Sequence, residues 1–268
     1  MNALNVFLFE GVGGVGKSTE IERLVKLLGD DKTHATHFPI KPFSADRYDL
    51  SESQKSLYYF SEQLGKFREE VERLTKNNDE GVDNKTSLLF DRGFLSSAVY
   101  HFDEVDSVRI ASIYTSMLIH HIEHIINYYN VEVAFHIVFL DVDIEDVMKS
   151  KIARIRATDP DISADALSRK IKDSRSRAVD LIEKYDSAFA TVESFIQDNP
   201  PRSSGWYFNK MTAHRIKKKM FNYGENQTDF ESADHAGVPR IFHTKQDLIS
   251  HNAWVMHQLV SNLIKENQ

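Results

Sequence analysis

The stretch of sequence that decides the fold is Gly11-Val12-Gly13-Gly14-Val15-Gly16-Lys17-Ser18. It fits the pattern G-x-x-x-x-G-K-[ST], in which the backbone N–H groups of a glycine-rich loop and of the following helix surround a phosphate group. An apolar segment from Leu4 to Phe9 precedes the motif and is typical of a buried strand. The motif is followed by an amphipathic helix pattern, with one apolar face formed by Ile21, Leu24, Val25 and Leu28. The sequence therefore predicts the strand–loop–helix unit that this motif requires.

The chemistry of the motif predicts a bound nucleoside triphosphate. Lys17 is expected to bridge the β- and γ-phosphates, and the Ser18 hydroxyl is expected to help hold Mg²⁺. Kinases, GTPases, ATPases and switch proteins share this motif, so it predicts a ligand without selecting a reaction. The residues expected to bind the nucleotide are Gly11, Gly13, Gly14, Val15, Gly16, Lys17, Ser18 and Thr19.

Composition and charge exclude several classes of protein. Of the 268 residues, 41% are apolar and 27% are charged, which excludes a wholly disordered or fibrous chain. The net charge of −7 argues against a dedicated nucleic-acid binder, and the absence of cysteine excludes disulfides and thiolate chemistry. The sequence has neither an apolar run of roughly 18 residues nor a basic segment ahead of an apolar one at its start. We therefore expect a cytoplasmic protein without a signal peptide, a membrane span or a nucleic-acid partner.

The alternation of strand and helix patterns predicts an α/β fold. Strand patterns separated by helical patterns recur along the chain, at residues 4–9, 34–38, 87–90, 131–140 and 240–243. This alternation implies a parallel sheet of about five strands, covered by helices on both faces. We expect a single domain over residues 1–268, with a polar insertion at about 197–238 where no sustained periodicity is found. Asp91 and Arg92 end the third strand pattern, at the sheet edge where such folds bind ligands.

Two segments together resemble the thymidylate kinase family of P-loop nucleoside monophosphate kinases. Phe9-Glu10-Gly11 and the loop up to Thr19 are similar to that family's Phe-Glu-Gly followed by Asp-Gly-Ala-Gly-Lys-Ser-Thr. The segment Asp91–Tyr100 resembles the family's Asp-Arg-Tyr segment, with two serines and a later tyrosine in register. The resemblance covers about residues 4–195 and, more faintly, the final strand and helix. It implies a P-loop kinase fold, ATP and Mg²⁺ as cofactors, and transfer of the γ-phosphoryl group to deoxythymidine monophosphate (dTMP).

The same resemblance implies roles for individual residues. Arg92 grips the acceptor phosphate, while Asp91 lies near Mg²⁺ together with Ser18. A lid at about 151–162 supplies cations that close over the transferring group. With Lys17, the catalytic set is then Arg92, Asp91, Arg154 and Arg156. The residues expected to contact the acceptor are Glu10, Lys41, Phe60, Gln63, Arg92, Ser96 and Tyr100.

Structural roles are the alternative for several of these residues. Phe60, assigned to stack on the acceptor base, also belongs to the apolar stripe of its helix. Lys41 lies in a loop, where solvated lysines are common, and the lid arginines would also suit a solvated helix face.

Three residues depart from the family pattern. Gly13 stands where the family has an aspartate that reaches the acceptor sugar, and Leu64 stands where an arginine reads the base. Gly93 replaces a tyrosine. These departures keep the cations that phosphoryl transfer needs and leave open which nucleobase is accepted.

Two other functions fit parts of the sequence. A deoxynucleoside kinase has a similar loop, and its acceptor hydroxyl needs a carboxylate base, for which Glu10 is the candidate. A nucleotide-dependent switch would read guanine through Thr244-Lys245-Gln246-Asp247, which matches the GTPase pattern [NT]KxD. The basic run Arg215–Lys219 is expected to be a solvated face, and no metal site is expected at His120, His121 and His124. The expected partners are small-molecule nucleotides, and the family's usual assembly implies a homodimer.

Overall fold

A computed structural model describes residues 4–29, 33–37, 49–78, 87–129, 131–198, 208–218, 230–233, 239–242 and 256–265. Lys41 and the segment Thr244–Asp247 lie outside these ranges, so their predicted roles stay predictions.

The described chain alternates strands and helices over most of its length. The strands are β1 (Leu4–Glu10), β2 (Thr33–His37), β3 (Ser87–Asp91), β4 (Val133–Val142), β5 (Phe208–Lys218), β6 (Phe230–Ala233) and β7 (Pro239–Phe242). The helices are α1 (Lys17–Leu28), α2 (Glu52–Asn78), α3 (Phe94–Val99), α4 (Glu104–Tyr129), α5 (Ile144–Thr158) and α6 (Ala164–Asp198). A further helical segment covers residues 256–265. No helix of the described residues combines the length and the apolar character needed to cross a membrane.

Five of the strands form one parallel sheet in the order β2-β3-β1-β4-β5. All seven residues of β1 and all five of β3 are buried, so both faces of the sheet centre are covered. The predicted α/β fold with about five parallel strands is therefore confirmed. In this order the strand that precedes the glycine-rich loop lies between β3 and β4, and the loop is central.

Residues Ser51 and Gln54 cap the first turn of helix α2. The Ser51 backbone N–H donates to Gln54 Oε1 at 2.9 Å, and the Gln54 N–H donates to Ser51 Oγ at 3.3 Å. This reciprocal pair is a capping box, which satisfies N–H groups that the first turn of a helix leaves without partners.

The predicted polar insertion at 197–238 is wrong where it includes 208–218, because that stretch is β5, a strand of the main sheet. The pattern at 240–243 is not a strand of this sheet: β7 pairs antiparallel with β6. β5 lies at the sheet edge, and of residues 211–216 only Met211 and Ile216 are buried, so no continuous apolar run marks this strand. Arg215, the first residue of the basic run, is exposed as expected and forms ion pairs with Asp141 and Asp186.

Candidate active site

The glycine-rich loop joins β1 to α1 at the carboxyl edge of the sheet. Gly11 has φ 137°, and a Cβ at this position would stand 2.9 Å from the Leu140 carbonyl oxygen. Only glycine suits both the backbone angle and the close approach. Gly16 is the N-cap of α1 at φ 80° and has no side chain to occupy the first N–H groups of the helix. Those groups and the helix dipole favour an anion at this point.

Lys17 lies folded over this loop. Its side chain is buried, and Nζ donates to the carbonyl oxygens of Gly11 at 2.7 Å and Val12 at 3.1 Å. The ammonium group is thus held at the place where the loop would surround a phosphate. This position suits the predicted role of Lys17 toward the β- and γ-phosphates.

Ser18 and Asp91 meet across the two central strands. In the pairing of β1 with β3, Phe9 lies opposite Asp91, which brings the end of β3 level with the loop. The Ser18 hydroxyl donates a hydrogen bond to Asp91 Oδ2. A hydroxyl and a carboxylate are ligands that Mg²⁺ accepts, with water and substrate phosphates completing its coordination. These two residues therefore fit a Mg²⁺ that substrate phosphates also bind.

Arg92 has an unusual conformation beside this pair. Its φ of 80° lies in the left-handed region, which a non-glycine residue adopts only at an energetic cost. Its backbone N–H donates to the Phe9 carbonyl at 3.0 Å, and its guanidinium lies 5.5 Å from the centre of the Tyr100 ring. The Nη1 atom is buried without a hydrogen-bond partner among the described residues. A buried guanidinium nitrogen that lacks a partner suits a bound oxyanion.

Glu10 is fully buried at the end of β1. Its Oε1 accepts from the Leu95 N–H at 3.0 Å, and its Oε2 accepts from the Ser96 hydroxyl at 2.8 Å. Burial raises the pKa of Glu10 to about 7, against the opposing effects of the Ser96 hydrogen bond and the Lys17 and Arg92 cations. The carboxylate therefore titrates near neutral pH between two residues predicted to bind phosphates.

The Glu10 carboxylate explains why position 93 is a glycine. A Cβ on Gly93 would stand 2.8 Å from Glu10 Oε1 and 2.9 Å from Leu8 Cδ1. The tyrosine of the resembled family does not fit here without displacement of Glu10.

Phe60 has the contacts of a core residue. It is 1% exposed, and its ring stacks on Tyr114 with centroids 4.1 Å apart. Phe60 lines a cavity of about 20 Å³, which has room for about one water molecule. Gln63, Leu64 and further apolar side chains also line this cavity. Gln63 Nε2 donates to Ser97 Oγ at 3.1 Å, while Oε1 is buried without a partner among the described residues. Stacking of Phe60 on an acceptor base and contact of Gln63 with that base stay predictions.

The predicted lid at about 151–162 is largely the second half of α5. Arg154 and Arg156 are both exposed there, and no described contact brings Arg156 to the loop. Sequence analysis missed Lys151, whose Cγ lies 3.7 Å from the position that a Cβ on Gly14 would take. Burial lowers the pKa of Lys151, and so do the nearby cations Arg154 and Arg177.

Lys151 lies beside the loop, and the exposed residues Arg154 and Arg177 are near enough to lower its pKa, so these three residues are here called the cation cluster. Within the described part of the chain, none of them has a carboxylate partner within 4 Å. An ion pair between Arg175 and Glu145 joins α6 to α5, and this holds the two helices that carry the cluster. Lys151 could have been recognised from the sequence, because it follows the buried Val147 by one helical turn. No local pattern marks Arg177, whose position depends on how α6 packs.

Ser96 and Tyr100 lie at different depths. Ser96 is 6% exposed and bonds to Glu10 and to the Tyr185 hydroxyl at 2.7 Å. Tyr100 is half-buried, and its hydroxyl oxygen lies 3.8 Å from the position that a Cβ on Gly13 would take. Tyr100 thus occupies the space beside the loop, next to the glycine that replaces the family's aspartate. Sequence analysis assigned no role to Tyr185.

Comparison with solved structures identifies the fold, whereas comparison of the sequence finds no match. No family model and no curated protein matches the sequence. The structure is similar to that of polyphosphate kinase 2 from Arthrobacter aurescens TC1, with a TM-score of 0.52 at 12% identity over 100% of this chain and 70% of that chain. A fungal RNA kinase (TM-score 0.38, 14% identity, 100% of this chain and 95% of that chain) also matches. So does deoxyadenosine kinase from M. mycoides with bound dATP (TM-score 0.36, 15% identity, 78% and 90%).

The fold is that of the P-loop kinases, as predicted. The likeness to polyphosphate kinase 2 concerns the fold alone and does not indicate a thymidylate kinase.

Proposed function

We propose that this protein is a Mg·ATP-dependent phosphotransferase that moves the γ-phosphoryl group to a deoxynucleoside monophosphate, with dTMP as the first acceptor to test. One observation carries the proposal. Lys17, which follows the loop after β1, and Arg92, which follows the adjacent parallel strand β3 and has a buried Nη1 without a hydrogen-bond partner among the described residues, both lower the pKa of Glu10. Two phosphate-binding cations at one point suit a donor and an acceptor that both carry phosphates.

Positive charge supports a phosphate-bearing acceptor. Phosphoryl transfer depends on positioning and on stabilisation of charge more than on covalent chemistry. The loop itself contains no arginine, so the charge comes from elsewhere in the fold. Arg92 on one side of the loop and the cation cluster on the other supply it.

The steps follow from these positions. The loop N–H groups and Lys17 hold the β- and γ-phosphates, and Ser18 and Asp91 hold Mg²⁺, which neutralises phosphate charge when bound. Arg92 binds the acceptor phosphate through its planar fork. The cation cluster stabilises the oxygens of the group in transfer. Because an acceptor phosphate is already ionised, no residue has to remove its proton.

Deoxynucleoside kinase activity is the second candidate, and the pKa of Glu10 favours it. A carboxylate that titrates near pH 7 suits the removal of a proton from an acceptor hydroxyl. Against this, both oxygens of Glu10 already accept hydrogen bonds from Leu95 and Ser96. The monophosphate reading needs no rearrangement of these bonds, and we therefore prefer it.

The testing experiment measures ADP release from Mg·ATP with dTMP, dUMP, dGMP, dAMP, dCMP and the corresponding nucleosides. Turnover with a monophosphate supports the proposal, and the best acceptor defines the base preference. Turnover with nucleosides alone would assign Glu10 as the base and establish the second candidate. GTP binding without acceptor-dependent turnover would contradict both and favour the switch. Lys17→Ala is the negative control for contaminating kinases.

The proposal includes small-molecule nucleotides as partners, a homodimer as the assembly and the cytoplasm as the location, with no nucleic-acid or membrane partner.

A further inference from the structure

A buried polar chain runs from the phosphate site into α6, and the proposed mechanism does not use it. Its members are Glu10, Ser96 and Tyr185, which are 0%, 6% and 0% exposed. Ser96 Oγ lies 2.8 Å from Glu10 Oε2 and 2.7 Å from the Tyr185 hydroxyl oxygen. The chain therefore links the last residue of β1 to the middle of a helix almost 90 positions away from Ser96.

The donors and acceptors of this chain fix its direction. An ionised carboxylate only accepts hydrogen bonds, and a serine hydroxyl has one proton to donate. Ser96 donates that proton to Glu10, so the Tyr185 hydroxyl donates to Ser96. A chain of donors that ends on a carboxylate stabilises its ionised form.

The aromatic contacts of Tyr185 extend the chain to the cations. The Tyr185 ring packs edge-on against Tyr100 with centroids 6.2 Å apart, and Tyr100 lies under the Arg92 guanidinium. Among the described residues, the charged or titratable groups that act on Glu10 are Lys17, Arg92 and Tyr185. Glu10 is thus a buried carboxylate that acts on both cations before any phosphate binds, and Asp91 is a further carboxylate that acts on Arg92.

We propose that Tyr185 is a positioning residue of the phosphate site, which acts through Ser96 to hold Glu10 as the counter-ion of Lys17 and Arg92, and that Glu10 takes up a proton when phosphates bind to those cations. The physical reason is repulsion: phosphate oxygens next to Glu10 disfavour its ionised form. This inference rests on the proposed function only for the placement of phosphates at Lys17 and Arg92.

The sign of the pH dependence follows from proton linkage. Glu10 binds its proton more tightly in the phosphate-bound protein than in the empty one, so binding takes up a proton above pH 7. The affinity for a phosphate chain then falls as pH rises through the pKa of about 7 of the empty site. A Glu10→Gln variant is neutral at every pH and lacks this component.

The experiment measures binding of inorganic triphosphate by calorimetry between pH 6 and 9, in buffers of different ionisation enthalpy so that proton uptake is counted. The ionisation of the ligand is common to all variants and cancels in the comparison. We expect Glu10→Gln to bind more tightly than the unchanged protein at pH 8, by up to about tenfold, the most that one proton changes an affinity over one pH unit.

Tyr185→Phe removes one oxygen and keeps the buried ring. Loss of its hydrogen bond is expected to move the midpoint of proton uptake upward by about 0.5 to 1 pH unit, the size of a net hydrogen bond in pKa terms. Ser96→Ala breaks the same hydrogen-bond chain one bond closer to Glu10, and it is the test variant if Tyr185→Phe does not fold. The matched control is Tyr114→Phe, since Tyr114 is also buried and its hydroxyl also bonds a buried serine, Ser56, at 2.8 Å.

Two results would overturn the inference. Equal pH profiles for Glu10→Gln and the unchanged protein would show that Glu10 does not titrate with binding. If Tyr185→Phe lowers the triphosphate affinity by the same factor at every pH and leaves the midpoint of proton uptake unchanged, Tyr185 has a packing role alone. These assays contain no phosphoryl acceptor. Absence of acceptor turnover would therefore refute the proposed function and leave this inference standing.

Discussion

A single methyl group at position 93 tests how tightly the Glu10 carboxylate is enclosed. A Cβ on Gly93 would stand 2.8 Å from Glu10 Oε1 and 2.9 Å from Leu8 Cδ1. The backbone there is extended, with φ −154°, so alanine meets no backbone strain and the cost comes from these contacts. Glu10 is held by two hydrogen bonds and Leu8 is 4% exposed in the core, so neither yields easily. Overpacking of this kind costs about 1 to 3 kcal/mol, and we expect Gly93→Ala to lower the free energy of unfolding by that amount.

Gly65→Ala is the matched control for this substitution. Gly65 is exposed within α2, and no atom lies within 4 Å of the position that its Cβ would take. Alanine there is expected to raise the free energy of unfolding by about 1 kcal/mol through helix propensity. Urea unfolding followed by circular dichroism measures both changes. If Gly93→Ala is as stable as the unchanged protein, the carboxylate is not enclosed as the structure shows, and the argument fails.

The remaining predictions concern the separate parts of the site. Lys17→Ala should abolish acceptor-dependent ADP release while the unfolding transition stays in place, and residual turnover above the assay background would count against its role. Arg92→Gln should raise the KM for the acceptor far more than the KM for ATP, because the guanidinium is assigned to the acceptor phosphate; equal changes in both would refute that assignment. Lys151→Gln and Arg177→Gln should each reduce the preference for ATP over ADP in equilibrium binding, by about tenfold if each loses one charge-assisted hydrogen bond to the terminal phosphate. Lys172→Gln, an exposed change on α6, is the control, and an equal loss there would indicate a general charge effect.

The local parts of the site could be predicted from the sequence because neighbouring residues create them. The glycine-rich loop is a continuous motif between a strand and a helix, and its conformation is set largely by its own glycines. Asp91 ends the buried strand β3 and Arg92 follows it, and the parallel pairing of β1 with β3 brings both to the loop. The capping box of α2 is likewise local, since it lies within the four residues 51–54.

The parts that sequence analysis missed depend on distant packing. Tyr185 reaches Ser96 only because α6 packs against α3, and no periodicity indicates which of its side chains faces a serine. The requirement for glycine at position 93 comes from Glu10, which is more than 80 positions earlier in the chain. β5 was missed for a related reason: it is an edge strand, only Met211 and Ile216 are buried among residues 211–216, and the Arg215 partners Asp141 and Asp186 are distant in the sequence.

The order of the strands explains why the two sides of the site should be separable by mutation. β1 lies between β3 and β4, so the phosphate loop is flanked by Arg92 on one side and by the helix that follows β4 on the other. An acceptor held at Arg92 and a cation cluster on α5 and α6 therefore reach the transferring group from opposite directions. Changes on the first side should affect the acceptor, and changes on the second should affect the donor. Glu10, on the central strand, is a buried carboxylate that acts on both Lys17 and Arg92. Protonation of Glu10 should consequently alter the binding of donor and acceptor together. A mutation on either side of the loop should alter the binding of only one of them.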